Sequence, residues 1–69
     1  MNTQDSLQLL ADLTLRLQEE PDNTDLLMQR GQLLYQMGNK TLAWQDLEHA
    51  LQLKPELAKS IIGFAKSGK

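Results

Sequence analysis

The sequence predicts an all-α fold of four helices folded back on one another as antiparallel helical hairpins. Three observations predict it. Apolar residues recur at i, i+4 and i+7 in successive segments, a spacing that gathers side chains on one helix face. Small residues, Gly31, Ala43 and Ala50, stand inside two of those faces, where they let two backbones approach closely. The segments are separated by residues that break or cap helices: Pro21-Asp22-Asn23, Gly38-Asn39 and Pro55.

The first helix is expected over residues 4–19, with Asp5 or Ser6 as its cap. Leucines at 7, 9, 10, 13, 15 and 17, together with Ala11, cover an arc of roughly 240° around it. One buried face needs little more than about 100°, so burial on two sides is expected. A few exposed leucines are the plainer alternative. Pro21 ends this pattern, and Asp22 or Asn23 suits the next cap. A helical hairpin follows over residues 24–54. Its first helix, from Thr24 to Met37, has Leu27, Gly31 and Leu34 on one face. Its second, from Lys40 to Leu53, has Ala43, Leu47, Ala50 and Leu51. Gly38 suits the left-handed residue that closes a helix, and Asn39 the cap that opens the next. Pro55 favours the first turn of a fourth helix over residues 56–67.

The stretch from Thr24 to Pro55 also resembles a known family. Its small and turn residues Gly31, Gly38, Ala43, Ala50 and Pro55 match the tetratricopeptide repeat, a helix-turn-helix unit of about 34 residues. The run R-G-Q-L-L-Y-Q-M-G resembles the usual first helix of that repeat, and D-L-E-H-A-L-Q-L-K-P the usual second. Leu27 and Leu47 replace the family's usual aromatics, and Lys40 stands where an aromatic is common after the turn. The resemblance implies one full repeat, about 22–55, within a single domain over 1–69 that forms a minimal four-helix α-solenoid. Pro21 and Pro55 are one repeat period apart, about 34 residues. The first helix then falls in the place of a preceding repeat's second helix, with Leu9, Leu13 and Arg16 in the slots of Ala43, Leu47 and Ala50. The fourth becomes the first helix of a following unit and a cap over the core. Ile61, Ala65 and Gly68 there correspond to Leu27, Gly31 and Leu34. A bulky residue at Gly31 is expected to force the hairpin apart, whereas the family tolerates alanine at that position.

The resemblance implies a non-enzymatic protein–protein interaction module. Met28, Gln32 and Tyr35 recur at i, i+4, i+7 beside the buried face of the second helix, on the flank that in tandem arrays lines a peptide-binding groove. They are the candidate partner-binding residues, and packing within or between chains is the alternative. The family's clamp for a peptide carboxylate needs Lys and Asn in slots held here by Met28 and Gln32, so that clamp is absent. A chain this short buries a small core, and the wide leucine arc adds an apolar surface. A homodimer is therefore expected, with Leu9, Leu13 and Leu15 at the self-association face. A purely structural self-assembly unit with no external ligand is the alternative function.

Trp44 is expected to pack toward the fourth helix near Ile61 or Ile62, with an exposed interface hot spot as the other reading. Asp46 and His49, at i, i+3, are two potential metal ligands, too few for a site, and no cofactor is expected. Lys59, Lys66 and Lys69 read as a solvated face near a helix end. The chain of 69 residues has net charge −2, no cysteine and 4% aromatics. That gives no basic patch or stacking platform for nucleic acid, no thiol chemistry and no disulfide. Neither a Gly-rich phosphate loop nor a carboxylate pair on an apolar helix face suggests an enzyme. Residues 1–5 lack the positive charge that opens a signal peptide. No run approaches the roughly 20 apolar residues of a membrane span, so a cytoplasmic protein is expected.

Overall fold

A computed structural model describes residues 3–67. It contains α1 (Thr3–Glu19), α2 (Thr24–Gln36), α3 (Lys40–Leu53) and α4 (Ala58–Ser67). A 3₁₀ turn, Pro55–Leu57, precedes α4. Among the described residues there is no strand.

The junctions explain why the helices start and stop where they do. α1 begins at Thr3, so Asp5 lies within its first turn and favours the helix dipole there instead of capping it. Between α1 and α2, the Asn23 N–H donates to the Glu20 carbonyl at 3.1 Å. The Asn23 side chain then accepts from the Leu26 N–H at 3.2 Å, capping α2. The α2–α3 turn is tighter. Gly38 takes φ +90°, a conformation that costs a residue with a Cβ. Its N–H bonds the Tyr35 carbonyl at 3.1 Å, and the Asn39 N–H bonds the Leu34 carbonyl at 2.9 Å. These are the paired bonds of a Schellman closure. Asn39 also opens α3, its side chain accepting from the Leu42 N–H at 3.4 Å. One residue therefore closes α2 through its backbone and caps α3 through its side chain.

After α3, Pro55 holds Lys54 in extended backbone, φ −136° and ψ 90°. The fourth helix thus does not run unbroken from residue 56. The 3₁₀ turn comes first, and α4 starts at Ala58.

α2 is the centre of the fold. It packs against α3 on one side and α1 on the other. Accordingly Leu26 and Leu33 are buried as well as Leu27, Gly31 and Leu34. Leu13 and Leu17 of α1 join Leu26, Leu27, Leu33 and Ala50 in one cluster, with Leu10, Met28 and Leu57 packed on its edge. The burial on two sides expected of the first helix belongs to the second, because the second is the one flanked by two neighbours. α1 is buried on one side only. Its Leu7, Leu9 and Leu15 remain 51%, 40% and 60% exposed.

The hairpin contact is as close as the small residues foretold. A Cβ placed on Gly31 would lie 2.8 Å from Leu47 Cδ2, 2.9 Å from its Cγ and 3.3 Å from the Ala43 carbonyl oxygen. Leu47, Ala43 and Ala50 are fully buried. Alanine at Gly31 is thus not free of cost: even one methyl group requires a fully enclosed leucine to move.

Candidate interaction surfaces

Behind the Gly31–Leu47 contact lies a polar clamp that pattern reading missed. Arg30 precedes Gly31 and Asp46 precedes Leu47, so the close approach brings their side chains together. Arg30 Nε donates to Asp46 Oδ2 at 2.7 Å, and Nη2 donates to Oδ1 at 2.8 Å. This fork is the bidentate geometry that makes Arg–carboxylate pairs strong. Arg30 Nη1 also lies 3.4 Å from Thr14 Oγ1, which itself donates to the Leu10 carbonyl at 2.8 Å. The pair is 24% and 10% exposed at its side chains, Arg first. The hydrogen bond to Asp46 raises the Arg30 pKa against the opposing cost of burial, and the Asp46 charge adds to the rise. The clamp ties α1, α2 and α3 into one unit, and among buried side chains of the described residues no polar atom lacks a partner. The signal for it was in the sequence: an Arg and an Asp, each one residue before a predicted contact residue.

Arg30 and Asp46 help line a groove of about 270 Å³, together with Leu10 and Thr14 of α1, Leu34 of α2, and Leu42 and Gln45 of α3. Because the fork is spent on Asp46, this pair offers no unpaired charge to an anion. Both carboxylate oxygens of Asp46 are engaged by Arg30. His49 Nε2 instead lies 3.5 Å from Asp22 Oδ1, with both side chains exposed. Among the described residues no group of three or more His, Asp or Glu side chains is placed to hold a metal ion.

The proposed partner flank is half-buried throughout at Met28, Gln32 and Tyr35. Met28 packs on the core cluster. Tyr35 meets Trp44 edge to face, ring centres 6.4 Å apart and planes at 89°. Lys40 Nζ stands 5.7 Å from the Tyr35 ring centre. Trp44 remains 41% exposed. This corrects its expected burial near Ile61 or Ile62: its ring partner is Tyr35 of α2, while Ile61 is buried and Ile62 exposed.

The expected self-association residues are separated. Leu13 is 3% exposed and belongs to the chain's own core, so it is not available to a second chain. Leu9 and Leu15 are exposed but point about 120° apart around α1. A single partner helix covers one of them. Leu9 lies beside Asp5 and Asp12, and Asp12 makes an exposed 3.4 Å ion pair with Arg16. On α4, Lys59, Ile62 and Lys66 are exposed. The side chain of Ala65, and residues Gly68 and Lys69 altogether, lie outside the described residues. Among the described residues no helix is long and apolar enough to cross a membrane.

The tetratricopeptide repeat family model matches residues 1–63. No curated protein and no solved structure matches the chain.

Proposed function

The chain belongs to the tetratricopeptide repeat family, and from that membership we propose a non-enzymatic protein–protein interaction module that self-associates as a homodimer in the cytoplasm. The observation that carries this reading is α1. One side of it is buried in the core, while Leu7, Leu9 and Leu15 stay exposed around the rest. Leu9 is the exposed leucine of α1 that a single partner helix can cover, and removing it from water favours association. A homodimer is the commonest closed arrangement of identical chains. Replacing Leu9 and Leu15 by Glu tests it by light scattering over a concentration series: the wild type gains mass with concentration and the variant does not. A wild type of constant mass removes the dimer.

A second reading concerns an external partner. Tyr35 and Trp44 form an edge-to-face pair with Trp44 partly open to solvent. Aromatic side chains with open area, Trp and Tyr above all, are enriched among the residues that dominate interface energetics. With Met28 and Gln32 of α2, Tyr35 and the neighbouring Trp44 of α3 make up the partner-binding edge of this reading. A pull-down in which Trp44→Ala loses bound protein, while the mass of the module is unchanged, supports it. No cofactor, nucleic acid or membrane enters either reading.

A further inference from the structure

We propose that the contact between two copies joins the acidic flank of α1 in one chain to the basic flank of α4 in the other. This rests on the self-association reading and specifies its surfaces.

α1 presents Asp5, Leu9 and Asp12, spaced i, i+4, i+7, all three exposed. α4 presents Lys59, Ile62 and Lys66, spaced i, i+3, i+7, also all exposed. Each set lies on one side of its helix over two turns. Each places a branched apolar side chain between two like charges, and the two sets have opposite signs. Leu9 is 40% and Ile62 56% exposed, so each offers apolar area that a helix laid across it removes from water. The Asp12–Arg16 pair is exposed on both sides, and such a pair is weak enough to exchange partners.

Two alternatives fit the charges less well. An α1–α1 contact through Leu9 sets Asp5 and Asp12 against their own copies. An α4–α4 contact through Ile62 does the same with Lys59 and Lys66. Like charges set opposite one another repel. The α1–α4 contact has neither conflict. Made twice, α1 to α4 and α4 to α1, it closes a two-fold dimer.

The flank of α4 also stands in a defined relation to the partner edge of α2. One repeat period on, Ile62 occupies the slot of Met28 and Lys66 that of Gln32. The same side of successive first helices is therefore used, half-buried on α2 and open on α4.

The test is a charge swap read by sedimentation velocity at low salt. Asp5→Lys with Asp12→Lys, and separately Lys59→Glu with Lys66→Glu, should each weaken association by about tenfold or more, since two favourable pairs become repulsive. Mixed in equal amounts, the two variants should associate nearly as well as the wild type, because the basic α1 of one now meets the acidic α4 of the other. The neutral pairs Asp5→Asn with Asp12→Asn, and Lys59→Gln with Lys66→Gln, should weaken association less and show no rescue on mixing. Helical circular dichroism of each variant confirms the fold. If the Lys59→Glu, Lys66→Glu protein associates like the wild type, or the mixture no better than its parts, the contact is wrong while self-association stands. A wild type that never associates removes both.

Discussion

Replacing Gly31 by alanine adds one methyl group to the α2–α3 contact, and the structure sets what that methyl meets. Its carbon would sit 2.8 Å from Leu47 Cδ2 and 3.3 Å from the Ala43 carbonyl oxygen. Carbon–carbon contact is comfortable at about 3.5–4.0 Å, so Leu47 has to give by roughly 1 Å. Leu47 has 0% exposure and no solvent side to move toward. Overpacking of this kind costs about 1–3 kcal/mol. Alanine regains about 1 kcal/mol over glycine in helix propensity. The two terms leave Gly31→Ala destabilised by about 0–2 kcal/mol, and Gly31→Leu by considerably more. A single measurement near zero decides little, so the decisive assay is a double-mutant cycle. Leu47→Ala alone should cost about 2–5 kcal/mol through lost burial and a cavity. In the double variant the new methyl enters the space Leu47 leaves, and the overpacking term disappears. The double should therefore be more stable than the sum of the singles by about 1–3 kcal/mol. Urea unfolding of the four proteins, at one protein concentration and in sulfate to keep the weakest folded, reads that number. Additivity within about 0.5 kcal/mol would mean that Gly31 and Leu47 do not touch as described.

Removing one side of the clamp, by Arg30→Met or Asp46→Leu, should cost about 2–4 kcal/mol in chemical unfolding, whereas the two changes together should be close to neutral. A simple sum for the double variant would show that the pair is not coupled. The raised Arg30 pKa contributes stability that is present at all pH below its ordinary value and is lost only as pH rises through the raised one. Titration of Arg30 should therefore produce no change in melting temperature across the neutral range, and a loss there in the wild type that is absent from Arg30→Met would contradict it. Trp44 should show an emission maximum between buried and water-exposed limits and be quenched by iodide in the native state, since 41% of it is exposed. A short-wavelength, unquenched spectrum would return Trp44 to the core. Replacing Gly38, at φ +90°, by Ala should cost about 1 kcal/mol or more, and Gly38→Asn less, because asparagine tolerates that conformation better. Equal losses would show that the turn does not hold the left-handed geometry.

Local signals in the sequence carried most of the backbone. Gly38-Asn39 specified both the closure of α2 and the cap of α3, and Gly31 with Ala43 and Ala50 specified the close hairpin. Those features depend on one turn or one face, which spacing reveals. Features that depend on which helix lies in the middle were not legible. The leucine arc of α1 was wide because the helix is apolar beyond what it buries, whereas α2, with an unremarkable pattern, is enclosed on two sides. Leu13 was assigned to a second chain because its arc does not say which part meets α2. The Arg30–Asp46 clamp spans positions distant in sequence, and only the register of α2 against α3 brings them together. Trp44 was misplaced for a similar reason: the extended Lys54 and the 3₁₀ turn after it set where α4 begins, and spacing along α3 carries no record of that geometry. The interaction surfaces are the least legible part, since exposure is what remains after the fold has chosen its core.

Sedimentation equilibrium of the wild-type chain, from about 1 μM to about 1 mM, tests the account at its centre. The apparent mass should rise from the 7.8 kDa of one chain toward twice that value, and the rise should move to higher concentration with added salt. A mass that holds at 7.8 kDa to about 1 mM, a dissociation free energy no greater than about 4 kcal/mol, would contradict self-association and leave the exposed side chains of α1 and α4 to a different protein.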